Sequence, residues 1–315
     1  MFNKMYKALS RIAFPGGAIK LLCILLGGFF IISLTGCKEH FNGMLDPKGL
    51  IAFQERKLFF DTLALMLIVV IPVIIMSFAF VYHYQISHRT RDYKPNWSHS
   101  YLLESIWWAI PCVIILVLAV MTWKKTHELE PSLKLSGYGE KPFLVQAIAL
   151  PWKWLFIYPE QHIATVNYLE IPVGREVEYS LTTDNVPMSG FFIPQLGSQI
   201  YTMAGMRTRL HLVANEVGIY EGLNTQFNGD GFSDMHFEVH VVEPSDMQKW
   251  VDEVKKSPNS LSDSSYEELL IPSDGDKPKL FGKVTSNIFD NVIHTYMSSM
   301  GPTHPRENQL KLHKV

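Results

Sequence analysis

Hydrophobic positions along this chain fall into two regimes. Two long stretches are apolar without interruption: Thr62 to Tyr82 is a 21-residue run with no charge, and Ser105 to Trp123 is a second of 19. Each is long enough to cross a bilayer core as a helix. Pro72 and Pro111 fall inside them. A bilayer helix tolerates proline when neighbouring helices satisfy the freed carbonyl, so both prolines point to packing partners. Tyr82, Tyr84, Trp97, Trp107, Trp108 and Trp123 lie near the ends, where interfacial aromatics sit.

From about Lys141 to Glu243 the regime changes to short apolar runs with alternation. Phe143–Ala149, Trp154–Tyr158, Thr165–Ile171, Val177–Thr182, Thr208–Ala214 and Met235–Val242 read as strands, punctuated by Pro, Gly and Asn. Several short strands over roughly 100 residues predict a β-sandwich or barrel. Beyond Pro244 the chain turns polar and more helical. Ser257–Ser265 and Pro272–Pro278 read as linkers, and Val284–Met300 as one more short helix.

Composition supports a composite. Apolar residues make up 47% and charged residues 18%, too apolar for one ordinary soluble domain and too polar for a polytopic channel. The formal net charge of −2 gives no reason to expect a nucleic-acid partner. The three cysteines, Cys23, Cys37 and Cys112, all precede the polar half, so no disulfide framework or thiolate metal site can be built there.

The amino terminus reads as an address. Lys4, Lys7, Arg11 and Lys20 precede Leu21–Leu34, a 14-residue run without charge and short for a spanning helix. It ends in Leu34-Thr35-Gly36-Cys37, which resembles the lipobox of bacterial lipoproteins at all four positions. Cleavage before Cys37 would free its thiol for acylation and place the mature start outside the cytoplasmic membrane. Loop charges leave orientation open, since Arg89, Arg91 and Lys94 are balanced by Lys38, Lys48, Arg56 and Lys57. An exported Cys37 puts the loop between the spans inside and everything after Trp123 outside.

Two groups of side chains invite a chemical reading. Glu104 stands just before the second apolar run, where a carboxylate feeds protons to a membrane partner or simply sits among headgroups at a helix N-terminus. His236, Glu238 and His240 alternate with Phe237, Val239 and Val241. That period puts the three polar groups on one strand face, as metal ligands or as the solvated side of a half-buried strand, and the second reading is the favoured one.

A leader, two spans and a β-domain is the layout of subunit II of haem-copper oxidases. Trp97-Ser-His-Ser, Thr126-His-Glu-Leu-Glu-Pro131, Trp152-Lys-Trp-Leu-Phe-Ile-Tyr-Pro-Glu-Gln161 and Phe191-Phe-Ile-Pro-Gln-Leu-Gly-Ser-Gln-Ile-Tyr201 resemble subunit II of the cytochrome bo-type ubiquinol oxidases. The resemblance covers roughly Asp46 to Met300. It implies a cupredoxin-like sandwich, and it singles out positions that hold a dinuclear copper in cytochrome c oxidase relatives. There one loop carries a His, and a second has the form Cys-x-Glu-x-Cys-x-x-x-His-x-x-Met. Here Ser189 stands for the first His, Asn224 and Asn228 for the bridging cysteines, and Phe232 for the second His. Gln226 would offer only its backbone carbonyl, and Met235 alone keeps a ligand side chain. Copper in such a pair requires soft thiolates and imidazoles, so no metal is expected in this chain.

The resemblance implies an α+β membrane protein: leader 1–36, outer segment 37–61, helix 62–82, inner loop 83–104, helix 105–123, cupredoxin-like periplasmic domain 124–243 and a helical C-terminal region 244–315. It implies a non-redox subunit of a proton-pumping ubiquinol oxidase in the inner membrane. Haems and copper would belong to subunit I, ubiquinol would be the substrate of the complex, and subunit I, further subunits and membrane lipid would be the partners. Glu104 matches a family glutamate at the mouth of a proton channel. A quinol stays in the lipid and can reach a membrane haem directly, which removes the need for an outward copper relay. The competing readings are a copper-bearing cytochrome c oxidase subunit, which would need cysteines at 224 and 228, and a free-standing lipoprotein with a cupredoxin-like binding domain.

Overall fold

A computed structural model describes residues 43, 45–83, 98–135, 137, 141–285 and 287–299. The leader with Cys37, and most of the loop between the spans, lie outside the described residues.

Two helices come first: α1, Leu50–His83, and α2, Tyr101–Glu128. Both overrun the uncharged windows at 62–82 and 105–123. α1 starts twelve residues early, through Glu55, Arg56, Lys57 and Asp61, and α2 continues through Lys124, Lys125 and Glu128. A charge does not end a helix once water can reach the side chain. At 1.5 Å per residue the two are about 51 and 42 Å long, against a hydrocarbon core of about 30 Å. The charged turns are therefore the parts that extend past it.

Both helices are tied to the β-domain. Gly49 bridges Ala214, and the backbone amides of Lys48 and Gly49 donate to the Gln195 carbonyl at 2.7 and 2.9 Å. A Cβ on Gly49 would come within 2.3 Å of the Leu196 carbonyl oxygen, so the close approach requires glycine there. After α2, the Pro131 carbonyl accepts from the His211 amide at 3.1 Å. Leu135 donates to Glu176 Oε1 at 2.9 Å, and that carboxylate meets His211 Nδ1 at 2.8 Å.

The domain is a sandwich of two sheets. The first contains β1 (Phe143–Leu150), β2 (Lys153–Tyr158), β3 (Ile163–Val166), β5 (Glu176–Thr183), β8 (Thr208–Val213) and β12 (Lys279–Phe281), in the order β12-β3-β2-β1-β5-β8. The second contains β4 (Tyr168–Pro172), β6 (Met188–Phe192), β7 (Ile200–Met203), β9 (Gly218–Asn224) and β10 (His236–Val242), in the order β4-β10-β9-β6-β7. Each mixes antiparallel pairs with one parallel pair, β1 with β5 and β10 with β4. Trp154, Phe156, Phe191 and Phe237 fill the space between the sheets. Phe191 lies edge-on to Trp154 at 5.3 Å and stacked on Phe237 at 5.4 Å.

The stretch Thr165–Ile171 is not one strand. Asn167, at φ 53°, breaks it and sends β3 and β4 into different sheets. Asparagine accepts that left-handed conformation more readily than most residues. Its side chain repays the break locally, accepting from the Trp154 amide at 2.8 Å. β6, β7 and β9, of which β6 and β9 carry glycine, are strands the hydrophobic pattern did not mark.

The region after Pro244 also departs from expectation. It holds helices α3 (Pro244–Val254), α4 (Asp263–Leu269) and α5 (Ile288–Ser299), but it is not purely helical. Its β12 is the edge strand of the first sheet, and β11 (Ser260–Leu261) pairs with β13 (Lys283–Val284). Ser257–Ser265 is no linker either: Ser262 caps α4 in a capping box with Ser265, which explains its serine-rich composition. Leu261, Tyr266, Leu269, Phe281, Phe289 and Ile293 cover the outer face of the first sheet. That sheet is thus buried on both sides, which is why β2 has no exposed residue and does not alternate.

Candidate functional site

The positions singled out as former copper ligands converge where β6 and β9 meet the loop leading to β10. Phe191 is in register with Asn224, which places the first loop against the start of the second. Asn224 is buried and fully engaged. Its Oδ1 accepts from the amides of Gly190 at 2.7 Å and Gln226 at 3.1 Å. Its Nδ2 donates to the Gln226 carbonyl at 2.9 Å and to Met235 Sδ at 3.2 Å. Asn228 Nδ2 reaches the same sulfur at 3.2 Å. The two amides that replace bridging thiolates therefore point at the thioether between them.

The rest of the cluster is equally neutral. Met235 is 1% exposed, packed in the core as a thioether that accepts hydrogen bonds. The Gln226 carbonyl, the one ligand atom a backbone could still offer, is taken by Asn224. Phe232 sits in the 3-10 turn Asp230–Asp234, edge-on to Phe227 at 5.6 Å. Ser189 is fully buried, its backbone in register with Thr202, and its Oγ has no hydrogen-bond partner. Thr225 Oγ1 and Asn228 Oδ1 are likewise buried without one. The donor set is thus amides, hydroxyls and one engaged thioether, with no thiolate or imidazole. It does not fit a dinuclear copper.

Three neighbours escaped the sequence reading. Trp152, at φ 62°, donates its indole N–H to the Asn228 carbonyl at 3.3 Å and roofs the loop. A Cβ on Gly231 would meet the indole at 2.5 Å, so glycine lets the ring lie flat on the backbone. Thr225 folds over Gly190, where a Cβ would lie 2.1 Å from its hydroxyl. Lys153, beside Trp152, is the third. It is 2% exposed, and its ammonium donates to the Ile271 carbonyl at 3.0 Å, to Ser273 Oγ, and to Asp276 Oδ2 at 2.9 Å. An ammonium has three protons, and here each has an acceptor. Burial alone would raise Asp276, but hydrogen bonds from Ser273 and Lys153 and the nearby ammonium charges bring its carboxyl below the ordinary value. Only the flanking Trp-Lys-Trp motif signalled any of this.

The other candidates stand apart. Glu104 lies in the first turn of α2, behind an N-cap Ser100 that makes no side-chain capping bond. His236 and Glu238 are exposed, and His240 Nε2 meets Glu238 Oε2 at 3.0 Å while its ring lies 4.7 Å from Tyr168. Their face is the solvated one, and no group of three or more His, Cys, Asp or Glu suited to a metal occurs among the described residues. Beside His240 on β4, Glu170 is 5% exposed, and burial raises its carboxyl above the ordinary value while Tyr168 O–H donates to it at 2.7 Å.

Known proteins resemble this chain over most of its length. Subunit 2 of the cytochrome bo(3) ubiquinol oxidase of Pseudomonas aeruginosa is 46% identical, over 84% of this chain and 78% of that protein. Ubiquinol oxidase subunit 2 of Acetobacter aceti is 40% identical, over 93% of this chain and 91% of that protein. The chain belongs to the ubiquinol oxidase subunit 2 family. A family model described as the COX Aromatic Rich Motif matches residues 255–300. In this ubiquinol oxidase subunit that segment supplies Tyr266, Phe281 and Phe289 to the outer core and Tyr296 against it. Asp184 receives hydrogen bonds from Tyr266 and Tyr296 at 2.7 and 2.8 Å. Among solved structures, the periplasmic domain of subunit II of the cytochrome oxidase of Bradyrhizobium japonicum is similar at 20% identity and a TM-score of 0.36, covering 38% of this chain and 97% of that one.

Proposed function

We propose that this chain serves its oxidase as a non-redox subunit, membrane-anchored by α1 and α2, with the sandwich on the periplasmic face of the inner membrane. The carrying observation is the state of Met235, whose sulfur accepts from the two amides that stand where bridging thiolates would be. A site packed in this way offers copper neither charge nor soft donors. Electron transfer then belongs to another subunit, subunit I, which would hold the haems and copper and receive electrons from a quinol dissolved in the lipid. The role of this chain is to bind and cover that subunit. Cys37 is the acylation site in this reading, and Glu104 delivers protons to the partner.

The test is the complex purified in mild detergent, compared with this chain produced without its partners. Haem absorption and quinol-driven oxygen consumption are expected in the complex, with neither haem nor copper on the chain alone. Stoichiometric copper on the lone chain would overturn the reading. Glu104→Gln is expected to slow oxygen reduction and proton pumping, and unchanged turnover would return Glu104 to a headgroup carboxylate. Cys37→Ser is expected to abolish the mass of attached acyl chains.

A further inference from the structure

Methionine is unevenly placed in the β-domain. Among the described residues beyond α2 the methionines are Met188, Met203, Met206, Met235, Met247 and Met297. Met235 and Met247 are buried. The other four gather at one corner, where the chain leaves the second sheet after β7 and enters the first at β8. Met188 is half-buried there, and Met203, Met206 and Met297 are 41%, 53% and 58% exposed.

Backbone pairing brings them together. Met188 on β6 is in register with Met203 on β7. Their neighbours Ser189 and Thr202 are buried, so alternation turns both methionines to the outer face of the sheet. Cross-strand partners have Cβ atoms about 4.5–5.5 Å apart. Met206 closes a turn on Met203: its amide donates to the Met203 carbonyl at 3.2 Å, which holds the two Cα atoms within about 7 Å. Gly205, at φ 74°, makes that turn. A Cβ on Gly205 would stand 3.8 Å from the Met297 amide nitrogen, so α5 brings the fourth methionine to the same turn. Arg207, next along, is already engaged, bonded to Asp290 with its guanidinium 5.3 Å over the Phe289 ring. From Met188 to Met206 the chain carries no carboxylate, imidazole or thiolate.

We propose that Met188, Met203 and Met206 form an exchangeable site for Cu(I). Thioether sulfur is a soft donor, and soft donors select Cu(I) over hard and borderline ions. Methionine has three rotatable bonds, so exposed side chains at these spacings can turn their sulfurs onto one ion. Uncharged donors leave the charge of the ion in place, and an open surface lets it depart. That suits a site that takes up and passes on copper, not one that holds a resident cofactor. The site is separate from Met235, whose sulfur is occupied by Asn224 and Asn228. It therefore stands apart from the non-redox reading of that loop.

Titration of the full chain in mild detergent tests this. Cu(I) is supplied anaerobically as its acetonitrile complex, against bicinchoninate as a colorimetric competitor. One equivalent is expected to bind the wild-type chain. Met188→Leu, Met203→Leu and Met206→Leu together keep the apolar volume and are expected to weaken that binding at least tenfold, with an unchanged denaturant midpoint. In wild-type chain isotopically labelled at its methionine methyls, added Cu(I) is expected to shift the resonances of Met188, Met203 and Met206 and to leave those of Met235 and Met247 in place. These shifts decide the matter even where the triple variant misfolds. No uptake by the wild type, equal uptake by a folded triple variant, or shifts confined to other methionines would overturn the proposal. So would displacement of the ion by Zn(II), which would place it on histidine. Copper retained through purification without added Cu(I) bears on the non-redox reading alone, so the two readings fail separately.

Discussion

The loop between β9 and β10 and the tail from Ile271 to Asp276 both cross the same end of the sandwich, on either side of Trp152 and Lys153, yet they are held in opposite ways. The loop is organised by neutral amides around a thioether. The tail is organised by an ammonium, a carboxylate and a hydroxyl. The loop leaves Thr225 Oγ1 and Asn228 Oδ1 without partners, and Ser189 Oγ on the neighbouring β6 has none either, while the ammonium of Lys153 has three acceptors. A buried neutral oxygen left unpaired is a moderate cost, whereas a buried unpaired charge is prohibitive. A loop built on thiolates would need a metal to neutralise them. One built on asparagines keeps the same crossing without any charge to neutralise.

The sharpest way to break this contrast is to strip the charged cluster of its centre. Lys153→Ala is expected to cost about 3–5 kcal/mol, because it leaves Asp276 half buried without its ammonium. Unfolding of the purified chain by denaturant, together with protease sensitivity after Ile271, measures it. The same cluster makes the tail acid-sensitive. The carboxyl of Asp276 lies below its unfolded value of 3.8, so its contribution is present above that pH and is lost as the pH falls through the lower folded value. Tail proteolysis should therefore rise in acid before the sandwich itself opens.

In the neutral cluster the effects should be smaller. Met235→Ala removes a buried side chain and the acceptor of both amides, and is expected to cost about 2–4 kcal/mol. Asn224→Ala orphans the Gly190 amide and the Gln226 carbonyl at an expected cost of about 1–3 kcal/mol, with no dependence on pH between 5 and 8. A pH-dependent loss in Asn224→Ala would mean the loop carries a hidden charge and the contrast fails. Glu170 gives the smallest effect. Burial raises its carboxyl, so its favourable contribution is complete below about pH 4.5 and declines as pH rises through the folded value. Glu170→Gln should stabilise the fold slightly at pH 7, by less than about 1 kcal/mol, and leave its stability unchanged in acid, as read by denaturant unfolding at the two pH values.

Much of this was legible in the chain itself. The two uncharged runs named the helices, because burial in lipid asks only for composition over a length. β1, β2, β5, β8 and β10 were legible as apolar runs between turn residues. The replacement of the thiolate and imidazole copper ligands, at Ser189, Asn224, Asn228 and Phe232, was what the resemblance implied. What was not legible depended on partners far away in sequence. Asn167 reads as one polar residue inside a strand until Trp154, 13 positions back, is seen to donate to it. Lys153 reads as a surface lysine until the tail, 118 residues on, brings it the Ile271 carbonyl. The serine-rich segment before α4 read as a linker because capping and linker chemistry use the same residues.

The sequence alone determined the division into spanning helices and β-domain and the lack of cysteines after Cys112, which are properties of composition and spacing and act locally; which positions copper would use came from the resemblance. Only the tertiary structure decided that Asn224 and Asn228 share one sulfur and that the tail completes the first sheet. Each of these is a meeting of groups whose separation along the chain carries no information about their separation in space.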